Sequence, residues 1–133
     1  DNGRDWVAED VPEDELNRVS KVGQHFGFPH CHQGDFLDPE FGWGKSCEGT
    51  EKPVMKTGPH SASLGARFNT GSMFPAEYRN AMFVARKGSW NRTVKFGYDV
   101  VTVRTDAEGR GAVCVVDHGR HPVRGGRAGG RFW

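Results

Sequence analysis

The sequence lacks any long apolar run. No stretch approaches the ~18 apolar residues of a membrane span, and no signal-peptide pattern is visible in a chain that opens DNGRDW. Net charge is also small: 18 Lys and Arg against 17 Asp and Glu give a formal +1 at pH 7. No global field therefore draws the chain to nucleic acid or to a membrane surface. Apolar residues are scarce, at 35%, beside 19 Gly, 7 Pro and a mean hydropathy of -0.68. That is too lean for a helical bundle and fits a loop-rich β protein. The 133 residues suffice for one small domain with a modest core. The first residue is Asp rather than Met, so the chain is read as a mature, trimmed or fragmentary piece.

Several chemistry-bearing patterns are missing as well. His30, Cys31 and His32, with Cys47 and His60 further on, offer nitrogen and sulfur ligands. No C-x2-C or H-x3-H pair accompanies them, so a zinc site is not expected. A c-type haem needs Cys-x-x-Cys-His, and Phe28 stands where the first Cys would be. GGRAGG follows no strand-to-helix context and is no phosphate loop. Glu9, Asp10, Glu13, Asp14 and Glu15 lack EF-hand spacing, and a solvated acidic loop is the expectation. Asn91-Arg92-Thr93 is a formal glycosylation sequon, a pattern common by chance. The chain also has no clear internal repeat.

Three cysteines are present. Cys31 and Cys47 flank a Gly-, Pro- and Asp-rich loop, HQGDFLDPEFGWGKS. A disulfide closing it would contribute about 3 kcal/mol in the chain-entropy model and imply an oxidising compartment. The competing reading is two unrelated free thiols. Cys114, within AVCVV, reads as a small core residue.

Apolar alternation predicts short strands over residues 16–19, 63–68, 81–85, 96–104 and 112–116, the last two joined by a turn at 106–109. Residues 22–29 form a Gly-punctuated turn, and PAEYRN reads as a helical turn over residues 75–80. From 30 to 59 the chain reads as loop, a length that signals function or a piece of something larger. FVARKGSWNRT leaves a strand through two cations and a glycine into an aromatic corner. HGRHPVRGGRAGGRFW at the end reads either as an RGG-like nucleic-acid tail or as a disordered or altered terminus. The second is preferred because the rest of the chain is not basic. Strands separated by long decorated loops suggest propeller blades more than a closed barrel.

DNGRDW, PEDELNRV, GQHFGFPHCHQGD, GPHSASLGARF, GSMFPAEYRNAMFVA and GSWNR, in that order, resemble the glucose/sorbosone dehydrogenase family. These are soluble quinoproteins that use pyrroloquinoline quinone (PQQ). The resemblance runs from Asp1 to about Arg104. It implies an all-β, partial six-bladed propeller: at ~40 to 50 residues per blade, about two blades with long loops. Residues 1–116 would be that partial propeller and 117–133 the tail.

The resemblance also implies site residues. Ca²⁺ would bridge PQQ to the backbone carbonyls of Gly3 and Arg4, in the loop Asn2-Gly3-Arg4 ahead of Asp14 to Asn17. A hard cation wants oxygen ligands, and glycine lets the backbone approach. His60 would line the cofactor from the Pro-His-Ser-Ala segment. Lys87 would face the quinone and stabilise charge as hydride arrives. Arg92 is a cofactor contact or equally a structural ion-pair partner, and Trp90 a packing aromatic. The implied reaction oxidises a sugar or aldehyde-type alcohol, with a histidine base outside this chain. No catalytic residue is assigned, and the isolated chain is expected to be inactive. A cytochrome or quinone would accept electrons, in a periplasmic or secreted setting. The alternatives are a non-catalytic propeller-like binding module without cofactor and, third, an RGG-type nucleic-acid binder.

Overall fold

The computed structural model describes residues 1–106 and the strand Gly111–Val116. It is all-β, with eight strands and no α-helix among the described residues. The strands are β1 (Glu13–Leu16), β2 (Cys31–His32), β3 (Phe36–Leu37), β4 (Met55–Pro59), β5 (Ser63–Phe68), β6 (Met82–Arg86), β7 (Asp99–Thr105) and β8 (Gly111–Val116). Consecutive neighbours β5, β6, β7 and β8 make one antiparallel four-stranded meander. β1 pairs with β4, and β2 with β3, as separate two-stranded ribbons. None of these sheets closes on itself.

The β-branched run of β7 supplies half of the buried core cluster, Val101 and Val103. Val84 pairs with Val101 and Met82 with Val103, which puts all four on one face of the meander. Val84, Val101 and Val103 are buried, each contributing roughly 2 kcal/mol by transfer. Met55, Leu16 and Val54 pack on that layer, so the β1–β4 ribbon lies against this face. On the other face Phe83 lies opposite Thr102 and meets Phe74 and Tyr78 at ring-centroid distances of 5.1 and 6.0 Å. The segment carrying Phe74 and Tyr78 includes a 3-10 turn, Ala76–Tyr78, which starts after Pro75. β5 forms an open edge, with Leu64 and Phe68 exposed.

Several expectations need correction. The first strand lies at Glu13–Leu16 rather than 16–19, and it buries the acids Asp14 and Glu15. Part of the expected solvated acidic loop is therefore strand. The expected loop from 30 to 59 contains β2, β3 and β4, with Cys31 and Cys47 joined by a disulfide at a Cα–Cα distance of 5.5 Å. The strand expected from 96 begins at Asp99 because Gly97 and Tyr98 have φ of 83° and 64°. Those left-handed angles are incompatible with an extended chain. The turn expected at 106–109 lies outside the described residues except for its first residue, and the 117–133 tail lies wholly outside them.

Candidate functional site

Two loops far apart in sequence are tied to β1 by one carboxylate. Asp14, buried on β1, accepts hydrogen bonds from the Gly3 N–H at 2.7 Å, the Ser61 hydroxyl at 2.9 Å and the Ala62 N–H at 2.7 Å. The loop at 1–6 and the loop at 59–62 are thus held to the same strand. The corner after β6 is then laid on the second loop: Lys87 N–H donates to the Ala62 carbonyl at 2.9 Å and Gly88 N–H to the Ser61 carbonyl at 2.8 Å. Gly88 has φ of 100°, and a Cβ there would sit 2.5 Å from the Tyr98 ring. Only glycine lets the corner close against that ring.

Where the two loops and the corner meet, Asp5, His60 and Asn91 cluster. The Asn91 Nδ2 donates to Asp5 Oδ1 at 3.3 Å. His60 Nε2 lies 2.7 Å from the Ala8 carbonyl, which can only accept, so Nε2 carries the proton. The other ring nitrogen, Nδ1, lies 3.6 Å from Asp5 Oδ1. His60 Nδ1 and Asn91 Oδ1 are both buried and without a hydrogen-bond partner among the described residues. Beside them Trp6 and Trp90 meet edge to face, with centroids 5.1 Å apart and planes at 77°. They are 81% and 62% exposed, so Trp90 is not the packing aromatic expected from the sequence. The Asn91 and Arg92 contacts hold the corner's backbone and leave the ring beside them in solvent.

The remaining residues implied by the resemblance divide among different contacts. Lys87 is exposed at the same corner as His60, and Asn2 is exposed in the first loop. The guanidinium of Arg4 turns to a second hub, bonding Asp38 at 2.7 and 2.9 Å and Glu40 at 2.5 Å, and stacking over Phe41. Buried Asp38 also meets His32 Nε2 at 2.8 Å and accepts the Glu40 and Phe41 N–H groups at 2.8 Å. Burial works against its charge, but the Phe41 N–H, His32, Arg4 and the Glu40 N–H outweigh it and hold the carboxyl well below the usual range. Arg92 bonds the Glu9 carbonyl at 2.8 Å and Asp10 at 2.9 Å, and its guanidinium lies over Phe96. Glu9 in turn accepts from the Thr93 hydroxyl and N–H, which lower its pKa.

Among the described residues no group of three or more His, Cys, Asp or Glu side chains could hold a metal. A separate cavity of about 340 Å³ is lined by Phe68, Phe74, Phe83 and the loop at 69–71. It contains none of the residues implied by the resemblance. Asp5, Trp6 and Asn91 were not singled out as binding residues from the sequence. Their signal was their place inside DNGRDW and GSWNR, since nothing local distinguishes an exposed tryptophan from a buried one.

A family model described as TrAA12-like matches residues 38–118. An uncharacterized protein of Borreliella burgdorferi is 35% identical over 114 residues, covering 84% of this chain and 30% of that protein. The chain therefore spans under a third of that relative's length. No solved structure matches. The family match corrects the expectation of a glucose/sorbosone dehydrogenase: TrAA12-like is a distinct family, and its description carries no quinoprotein, PQQ or dehydrogenase designation. The motifs behind that resemblance are rich in Gly, Pro, Asn and Asp, which turn geometry demands of loop-rich β proteins generally.

Proposed function

We propose that this chain, which belongs to the TrAA12-like family, supplies one ligand-binding face of a longer β protein that oxidises a sugar hydroxyl or aldehyde. The convergence of the loops at 1–6, 59–62 and 87–92 on Asp5, His60 and Asn91 carries this reading. Exposed aromatics, unpartnered buried acceptors and a cation at one loop cluster are the features of a small-molecule site. The four-stranded meander has the form of one propeller blade. The β1–β4 ribbon would belong to a neighbouring blade, which makes the chain part of a six-bladed propeller.

The cofactor pair implied by the resemblance, PQQ with Ca²⁺, fits these residues only in part. Lys87, exposed at the corner, would meet the anionic groups of such a cofactor. Arg4 and Arg92 are already engaged with acidic side chains and would not be its anchors. With no acidic or imidazole cluster among the described residues, Ca²⁺ would depend on backbone oxygens, Gly3 and Arg4 among them. When bound, the cofactor would supply the hydride acceptor; the chain's own part is to bind and orient. Calorimetry of the 133-residue chain with PQQ and Ca²⁺ tests this. Saturable heat lost in Lys87→Ala supports a cofactor face. Silence removes the cofactor and favours a binding module of the same fold.

A further inference from the structure

The cavity beside β5 shares no residue with the loops at 1–6, 59–62 and 87–92. Its apolar walls are Phe68, Phe74 and Phe83. Phe83 is half-buried, and its ring is held between Phe74, at 5.1 Å, and Tyr78, whose plane lies 19° from its own. Phe68 and Phe74 are each about half exposed and keep open apolar surface.

The loop bordering these rings is shaped before any ligand arrives. Asn69 N–H donates to the Ala81 carbonyl at 2.7 Å, and Asn80 N–H donates to the Asn69 carbonyl at 3.0 Å. The Asn69 side chain donates from Nδ2 to the Tyr78 carbonyl at 2.9 Å and accepts the Gly71 N–H at 3.3 Å. Its amide is spent on the loop's own form. The lining side chains that keep polar groups for a ligand are therefore Arg67 and Thr70.

Arg67 decides the charge. It stands opposite Phe83 in the β5–β6 register, so cation and ring share one face of the meander. Arg4, Arg86 and Arg92 each meet a carboxylate. The exposed guanidinium of Arg67 meets none among the described residues, and no Asp or Glu lines the cavity. An ammonium ligand would find only like charge there. A neutral apolar ligand would cover the rings and leave the guanidinium's donors unused. A carboxylate takes two of those donors side by side, and an apolar body behind it covers the rings. A volume of about 340 Å³ is at the small end for ligand pockets, which limits that body to about one ring and a short chain.

We propose that this cavity is a second binding site, for a small amphipathic carboxylate, with the apolar body on Phe68, Phe74 and Phe83 and the carboxylate on Arg67. The site does not depend on the reading of the loop cluster as a ligand face.

The test is a ¹H–¹⁵N titration of the 133-residue chain with 3-phenylpropanoate, following the Arg67 side-chain N–H and the backbone N–H signals of Asn69, Thr70 and Gly71. These should move saturably at millimolar concentration, while the Trp6 and Trp90 indole signals stay in place. 3-Phenylpropan-1-ol keeps the body without the charge and should bind about tenfold more weakly. Acetate and inorganic phosphate lack the body and should not saturate in that range. Arg67→Gln, at an exposed position on the edge strand, should abolish the preference for acid over alcohol and leave the β6–β7 signals unchanged. The site is wrong if phenylpropanoate moves none of the cavity signals. It is equally wrong if the alcohol or 3-phenylpropylammonium binds as tightly as the acid, which would make the cavity an unselective apolar surface. Acetate alone reproducing the shifts would overturn it too, by reducing the site to a bare contact with Arg67.

Discussion

Replacing Asp14 with Asn should cost about 3 kcal/mol, because one buried carboxylate satisfies three donors from two loops. An amide keeps one acceptor oxygen. If that oxygen stays on Gly3, the amide NH₂ confronts the Ser61 hydroxyl and the Ala62 N–H. The hydroxyl can rotate and accept, but the Ala62 N–H is fixed and left unpaired, at roughly 1–3 kcal/mol. Exchange of a charged for a neutral acceptor at Gly3 adds about 1 kcal/mol. If the amide flips, the Gly3 N–H is the group stranded, with a similar total. Urea unfolding with the disulfide intact measures this: at an m-value of about 1.5 kcal/mol/M the midpoint should fall by about 2 M. A shift below about 0.3 M, with m unchanged, would refute the assignment of Asp14 as the tie between the loops.

Reduction of the Cys31–Cys47 bond, or Cys47→Ser, should lower stability by about 3 kcal/mol for its sequence separation of 16, read from the urea midpoint with and without reductant. The depressed pKa of Asp38 contributes stability present above the unfolded carboxyl value of about 3.9 and lost as pH falls through the folded value. The urea midpoint should therefore drop on acidification below about pH 4, and Asp38→Asn should flatten that dependence while lowering stability at neutral pH. Arg86 forks onto Asp99 and also bonds the Thr57 carbonyl at 2.8 Å. Arg86→Ala strands a largely buried carboxylate, at roughly 3–4 kcal/mol by thermal or urea unfolding. Lys56→Ala, which breaks a pair with the exposed Asp35, should cost under about 0.5 kcal/mol by the same measurement.

The parts of the fold legible in the sequence are those that apolar alternation writes. Val84 of β6 and Val101 and Val103 of β7 bury against one layer and mark their strands to within a few residues. β1 was displaced because its buried members are acids, Asp14 and Glu15, whose worth lies in loop N–H groups distant in sequence. The segment from 30 to 59 has no period to read. It is ordered by a disulfide and by Asp38, which gathers Arg4, His32 and two backbone donors. The same long separations hid the candidate site. Asp5 and Asn91 carry no local sign of meeting, and the destination of each arginine depends on which carboxylate the fold brings to it. Family membership was misread for a related reason: turn-forming residues report backbone shape, and distinct families share such shapes.

The function proposed for this chain depends on the loops at 1–6 and 87–92 meeting at one corner. Nuclear Overhauser contacts between the indole protons of Trp6 and Trp90 test that directly. Ring centroids 5.1 Å apart should give strong cross-peaks, alongside a weaker set between Asn91 and Asp5. Absence of the Trp6–Trp90 cross-peaks, in a sample whose β6–β7 contacts are present, would contradict the convergence and the ligand face built on it.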